Sequence, residues 1–181
     1  AIKYLSDGTY DALLAPAKKE TPQLIFPKNS VGQQRMCFFT DKQNTWIFKG
    51  VNSLHNMKIG IANDTSIEEL NSFIKKHPQQ FQYQPYHERF VIQNAGKVLK
   101  KRIDAFLFTN YTTIYELKKE QLNDKIRNAG CVSKADIFLA FTPISQKKLH
   151  IQKIIHFFDK RMATLNKTGL RNKVLAEYGI N

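Results

Sequence analysis

The run Lys58-Ile59-Gly60-Ile61-Ala62 restricts what this chain can fold into more than any other stretch. It is short, unbroken, and made mostly of small and β-branched residues, the pattern of a strand buried on both faces in a parallel sheet. Before it, the residues from Asn52 read as a short helical turn. After it come a polar turn and a helix predicted to start near Thr65 and run toward Lys76. Thr65 followed by Glu68 has the spacing of a capping box, in which the hydroxyl accepts an N–H of the first turn and the carboxylate reaches back. Strand, polar turn and capped helix leave backbone donors free at the carboxyl edge of a sheet, where open α/β sheets bind ligands. An ordinary helix start shows the same Thr-x-x-Glu spacing, so the neighbouring segments decide what it means.

Those segments alternate. Tyr10 to Ala15, Arg35 to Thr40, Phe81 to Gln84, Ile103 to Phe108 and Asp136 to Phe141 carry strand patterns. Tyr86 to Leu99, about Tyr111 to Lys119, Ser145 onward to Asn166, and Leu170 to Tyr178 carry helical ones. His77-Pro78 and Gly169 supply stop signals. Leu24 to Pro27 reads as a short extended piece, and Gln121 to Ser133 as polar chain with a short strand near Cys131-Val132. Strands alternating with helices predict an α/β architecture with largely parallel sheets. Leu5-x-x-Gly8-x-x-Asp11-Ala12 and Val98-x-x-Lys101-x-x-Asp104-Ala105 share one register, each a helix end running into a strand, which suggests two similar lobes.

With 181 residues the chain has room for one ordinary domain or two small lobes, and no run is long enough to cross a bilayer. It begins with Ala1 rather than Met and shows no signal peptide, so it reads as a processed or excised piece. Twenty-eight Lys and Arg against 15 Asp and Glu give a net charge of +13, a field that attracts nucleic acid, acidic lipid or an anionic small ligand. The basic residues are dispersed as Lys18-Lys19, Lys75-Lys76, Lys100-Lys101-Arg102, Lys118-Lys119, Lys147-Lys148 and Lys160-Arg161, which reads as solvated surface rather than a nucleic-acid groove. Cys37 and Cys131 sit in no metal spacing; a disulfide between them requires an oxidising compartment, and the reading favours two free, buried thiols. None of the five histidines pairs at metal-ligand spacing, so no metal and no cofactor is expected. No Ser-His-Asp, Cys-His or paired-carboxylate set can be picked out, and no enzymatic activity is expected.

In ordered pieces the chain resembles the extracellular solute-binding proteins of family three, the amino-acid-type periplasmic binding proteins of ABC importers. The pieces are Leu5 to Asp11, Ser53-Leu54 with Lys58 to Ile61, the small polar turn Asp64-Thr65-Ser66, Arg102-Ile103-Asp104-Ala105, and the closing pattern from Leu165 to Gly179. The resemblance implies a two-lobed type 2 periplasmic-binding-protein fold, with a small ligand clamped in the cleft between lobes. Carried onto this sequence, lobe one comprises residues 1–36 and 142–181 and is incomplete, and lobe two comprises residues 37–141. The family's opening strand, helix and second strand would precede Ala1. A lobe lacking them exposes apolar surface that chain–chain contacts would cover.

Family members that bind amino acids have an Arg after the first-lobe Asp-Ala strand and an Asp after the second-lobe one. Here the first place offers Lys18 and Lys19, and the second offers Thr109, followed by Asn110. With Asp64, Thr65 and Ser66 at the helix start, these residues form the expected ligand set. They point away from an ordinary α-amino acid and toward an anionic or neutral polar solute. The implied role is the substrate-binding component of an ABC importer, periplasmic after loss of a signal peptide, with a small-molecule solute and a membrane permease as partners. A sensory or regulatory ligand-binding domain of a larger protein is the alternative, and a basic nucleic-acid-binding domain a more distant one.

Overall fold

The computed structural model describes residues 2–18, 21–63, 65 and 67–178. In chain order the elements are α1 (Ile2–Ser6), β1 (Ala12–Ala17), β2 (Gly32–Asp41), β3 (Ile59–Ala62), α2 (Glu68–Lys76), β4 (Phe81–Gln84) and α3 (Phe90–Leu99). They continue as β5 (Ala105–Thr109), α4 (Asn110–Lys119), β6 (Ile126–Phe141), α5 (Lys148–Thr168) and α6 (Leu170–Glu177), with 3-10 turns at Val51–Leu54, Pro78–Gln80 and Ser145–Lys147. Two compact units result. Unit 1 is built from Ala1–Gln34 and Ala135–Glu177, and unit 2 from Arg35–Lys134. The chain enters unit 2 within β2 and returns within β6, so both connections are strands. By compactness the return falls at residue 135, whereas the resemblance implies a division at about 142. Its cause is the length of β6, a single 16-residue strand rather than a short piece near Cys131 and a second one from Asp136. Polar Ser133 and Lys134 hid that continuity.

In unit 2, β3 lies between β4 and β5 and runs parallel to both, and β5 pairs antiparallel with β2. All four β3 residues are buried, as their composition predicts. Side chains alternate across the sheet. Phe38, Ile59, Ile61 and Leu107 pack with Leu54, Ile67, Leu70 and Phe73 from the α2 side, while Cys37, Phe39, Phe106 and Phe108 pack with Phe90, Val91, Ala95 and Val98 from α3. Burying each large apolar side chain contributes about 1.5–3 kcal/mol, so the two-sided sheet dominates the stability of this unit. The connection after β2 folds back onto it: Trp46 and Phe48 pack against Phe38, and the Trp46 indole donates to the Ser53 carbonyl at 2.9 Å.

Cys37 and Cys131 are joined in a disulfide across a sequence separation of 94, which corrects the expectation of two free thiols. β6 lies next to β2 in the strand order, and that placement, invisible in the spacing of the two residues, brings the cysteines together. Cys37 is fully buried whereas Cys131 is exposed.

Unit 1 has a smaller core of Leu5, Leu24 and Ala140, with Leu13 and Phe26 against it. β1 pairs antiparallel with the end of β6, from Ala12 opposite Phe141 to Ala17 opposite Ile137. Leu24 to Pro27 contributes one bridge, Ile25 to Phe141, rather than a strand. α5 buries Ile151 and Met162 and stops at Gly169, whose φ of 67° is the left-handed C-cap the sequence predicts. Asp159 on α5 holds the loop that leads into β2: its carboxylate accepts from the Lys28 N–H at 3.1 Å and from the Asn29 N–H at 2.8 Å. Burial pushes its pKa up, but these bonds and the Asn29 amide outweigh burial and hold it below the ordinary aspartate value. A carboxyl lowered in the folded state stabilises fully above its unfolded pKa, and that contribution fades as pH falls toward the folded pKa. Asp159→Asn should therefore cost about 1–3 kcal/mol at neutral pH. In urea titrations the difference from the native chain should shrink as pH falls below about 4; an unchanged difference at low pH would refute this assignment.

Candidate functional site

The carboxyl edge of the unit 2 sheet is formed by the exits of three parallel strands. At the β3 exit, Asn63 N–H donates to the Gln84 carbonyl at 2.8 Å, tying the turn to the end of β4. Thr65 does not cap α2. Its hydroxyl donates back to the Ala62 carbonyl at 2.7 Å, closing a local turn, and the helix begins later, with Ile67 as N-cap and no side-chain capping bond. The Ile67 N–H is instead taken by the Asn71 carboxamide oxygen at 3.0 Å. The expected capping box is thus corrected: α2 begins at Glu68 with Ile67 as its N-cap, too far along the chain for Thr65 to be the cap, and the Thr65 hydroxyl is turned back onto the Ala62 carbonyl.

At the β5 exit the chain turns directly from strand into helix. Thr109 is the N-cap of α4, with φ −63° and ψ 133°, and its side chain makes no capping bond. Its Oγ1 is buried and has no hydrogen-bond partner among the described residues, a rare state for a hydroxyl. Its carbonyl accepts from the Thr113 hydroxyl at 2.8 Å. Asn110 is held from the side, its Oδ1 accepting from Asn128 Nδ2 at 2.9 Å. Asn128 in turn fixes Gly130 through its Oδ1 at 2.7 Å and lies 3.7 Å from the Cys131 sulfur. Cys37 pairs with Phe108 and Met36 with Thr109 in the β2–β5 register. The disulfide therefore ties β2, the strand paired with β5, to β6, whose Asn128 holds Asn110 in the turn after β5.

Thr65, Thr109 and Asn110 all belong to unit 2, Thr65 beyond the end of β3 and Thr109 and Asn110 at the end of the adjacent strand β5. Lys18 belongs to unit 1, where its ammonium stands 4.2 Å from the Phe138 ring centroid and 5.7 Å from that of Phe26, a cation–π arrangement. Lys19, Asp64 and Ser66 lie outside the described residues. A cavity of about 350 Å³ opens elsewhere in unit 2, lined by Tyr86, His87, Glu88, Phe108, Thr112 and Glu116 among others, and includes none of the residues expected from sequence. The sequence did not single out Asn128, whose role depends on β6 lying next to the β5–α4 turn. Among the described residues no group of three His, Cys, Asp or Glu is placed to hold a metal. No helix there is long and apolar enough to cross a membrane.

No family model matches the chain, and no curated protein matches it by sequence. Solved structures do match. A histidine kinase sensor domain with similarity to periplasmic binding proteins aligns at a TM-score of 0.65 and 14% identity, covering 98% of this chain and 73% of that one. An amino acid ABC transporter substrate-binding protein from Streptococcus pneumoniae, bound to L-arginine, aligns at 0.65 and 13% identity, covering 98% and 71%. An ancestral cationic amino acid solute binding protein aligns at 0.66 and 12%, covering 98% and 72%. At this identity the likeness establishes architecture: the chain has the α/β type 2 periplasmic-binding fold that its sequence pieces resemble.

Proposed function

We propose that this chain, with its type 2 periplasmic-binding fold, is a solute-binding domain that holds a small polar or anionic molecule at the carboxyl edge of the unit 2 sheet. The observation that carries this reading is the buried, unpartnered hydroxyl of Thr109 at the start of α4. A helix start offers N–H donors and a favourable dipole to an anion, and Thr109 adds one hydroxyl able to donate. Thr65 beyond β3, its sequence neighbours Asp64 and Ser66, and Asn110 beside Thr109 complete the proposed ligand set on unit 2. Thr109 can accept from an ammonium group but offers it no negative charge, which favours an organic anion or neutral polar solute over a zwitterionic amino acid. The proposed setting is the substrate-binding component of an ABC importer, delivering solute to a membrane permease without chemistry of its own. The Cys37–Cys131 disulfide supports an oxidising, extracytoplasmic compartment. A sensory domain of a larger protein is the second reading, favoured by the likeness to a histidine kinase sensor domain.

A thermal-shift screen across organic anions, phosphorylated metabolites, small sugars and amino acids tests the proposal. A true ligand at a hundredfold excess over its Kd adds about 2.7 kcal/mol to the folded state. In a chain of this size that raises Tm by roughly 5–10 °C. Silence across all four classes would overturn the solute-binding reading.

A further inference from the structure

We infer that the outward face of α5 is a docking surface for an anionic phospholipid bilayer. This inference stands on unit 1 alone and is independent of the solute site. At about 100° per residue, positions 149, 153, 156, 157, 160, 164 and 167 fall opposite Ile151, Ile155 and Met162, which turn toward the core of the unit. On that outward side Leu149 is 69% exposed and Phe157 60% exposed. Lys153, His156, Lys160 and Lys167 stand exposed among them. The whole helix carries five basic residues and one acidic residue. That acid, Asp159, is occupied on another side by Lys28 and Asn29. Arg161 lies over the Phe157 ring at 5.2 Å, so the aromatic and cationic groups form one patch.

A solvated helix face has no need of Leu and Phe at its apex, and a site for a purely ionic partner has no use for them. Apolar side chains interleaved with lysines on a face free of acid match the interfacial zone of a membrane. There the chains enter the acyl boundary and the lysines meet anionic headgroups. A single aromatic ring on the face does not make the row of stacking platforms that single-stranded nucleic acid uses. Lipid complements both the charge and the apolar content of the face.

Vesicle co-sedimentation of the full chain tests this, comparing phosphatidylglycerol–phosphatidylcholine mixtures with phosphatidylcholine alone, at low and high salt. Binding to the mixed vesicles, weak binding to neutral ones and loss with salt are expected. Each interfacial lysine strengthens partitioning about fivefold, so the combined changes Lys153→Gln, Lys160→Gln and Lys167→Gln should weaken it about a hundredfold. An equal change of charge elsewhere, at exposed Lys75, Lys76 and Lys100, should alter it less than about twofold. Leu149→Ser with Phe157→Ser should weaken it at least about tenfold. All these side chains are exposed, so far-UV circular dichroism should match the native chain. Three outcomes would overturn the inference: no sedimentation with anionic vesicles, equal losses in the two lysine triples, or no effect of the Leu149 and Phe157 changes. Displacement of vesicles by an oligonucleotide whose own binding depends on the same three lysines would also overturn it, by assigning the face to nucleic acid.

Discussion

Replacing Cys37 and Cys131 together by Ala will lower the unfolding free energy by about 4–5 kcal/mol. The bond closes a loop of 94 residues, which spans nearly all of unit 2, and tying the ends of so long a loop removes much of the freedom of the unfolded chain. In thermal melts the loss corresponds to a fall in Tm of roughly 10–15 °C, with the reduced native chain matching the double variant. The consequence extends to the site. Asn128 contacts both the Cys131 sulfur and Asn110, and Cys37 pairs with the residue before Thr109. Freeing the two strands should therefore loosen the β5–α4 turn, and solute affinity should fall along with stability. A double variant as stable as the parent would show that β2 and β6 keep their register without the bond.

Gly60→Ala should cost about 3 kcal/mol although it adds a single methyl group, because that group has nowhere to go. A Cβ at Gly60 would lie 2.2 Å from the Asn94 carboxamide oxygen and 2.9 Å from Ile103 Cδ1. Asn94 is fully buried, its amide donating to the Phe90 carbonyl at 2.9 Å within α3. The close approach lets α3 pack directly on β3, and any side chain at residue 60 pushes them apart. The pair is separable by a double-mutant cycle. In an Asn94→Ala background the oxygen is gone and only the flexible end of Ile103 opposes the new methyl. Gly60→Ala should then cost less than about 1 kcal/mol further. If the cost in the two backgrounds is the same, the contact with Asn94 is not what requires glycine. Urea midpoints supply the four values.

Local pattern made β3 readable in the sequence, since four consecutive small or branched residues fit only a strand covered on both sides, and the covered strand was found. The α5 stop at Gly169 was equally local. The features that escaped depend on contacts distant in sequence. A Thr-x-x-Glu spacing says that a hydroxyl is near a helix start but not that the helix begins only after Ile67, with the hydroxyl turned back onto the Ala62 carbonyl at 2.7 Å. The disulfide follows from β6 lying beside β2, and the length of β6 was masked by two polar residues at its middle. The candidate site divides in the same way. Thr109 and Asn110 could be placed at a strand exit from sequence alone, whereas the missing partner of the Thr109 hydroxyl and the brace from Asn128 are tertiary facts. Lys18, expected near a ligand carboxylate, faces Phe138 and Phe26, a contact that spacing alone does not reveal.

Thr109→Val separates a binding role from a structural one, because valine keeps the shape of the side chain and removes only the hydroxyl. Without ligand, losing a buried unpaired hydroxyl should leave the fold as stable as before, or more stable by about 1 kcal/mol. With a solute identified by the thermal screen, calorimetric titration should show affinity for the variant reduced at least about tenfold, the loss of one buried hydrogen bond. Unchanged affinity in the variant, or a destabilised fold without ligand, would contradict the assignment of the β5 exit as the place where solute is held.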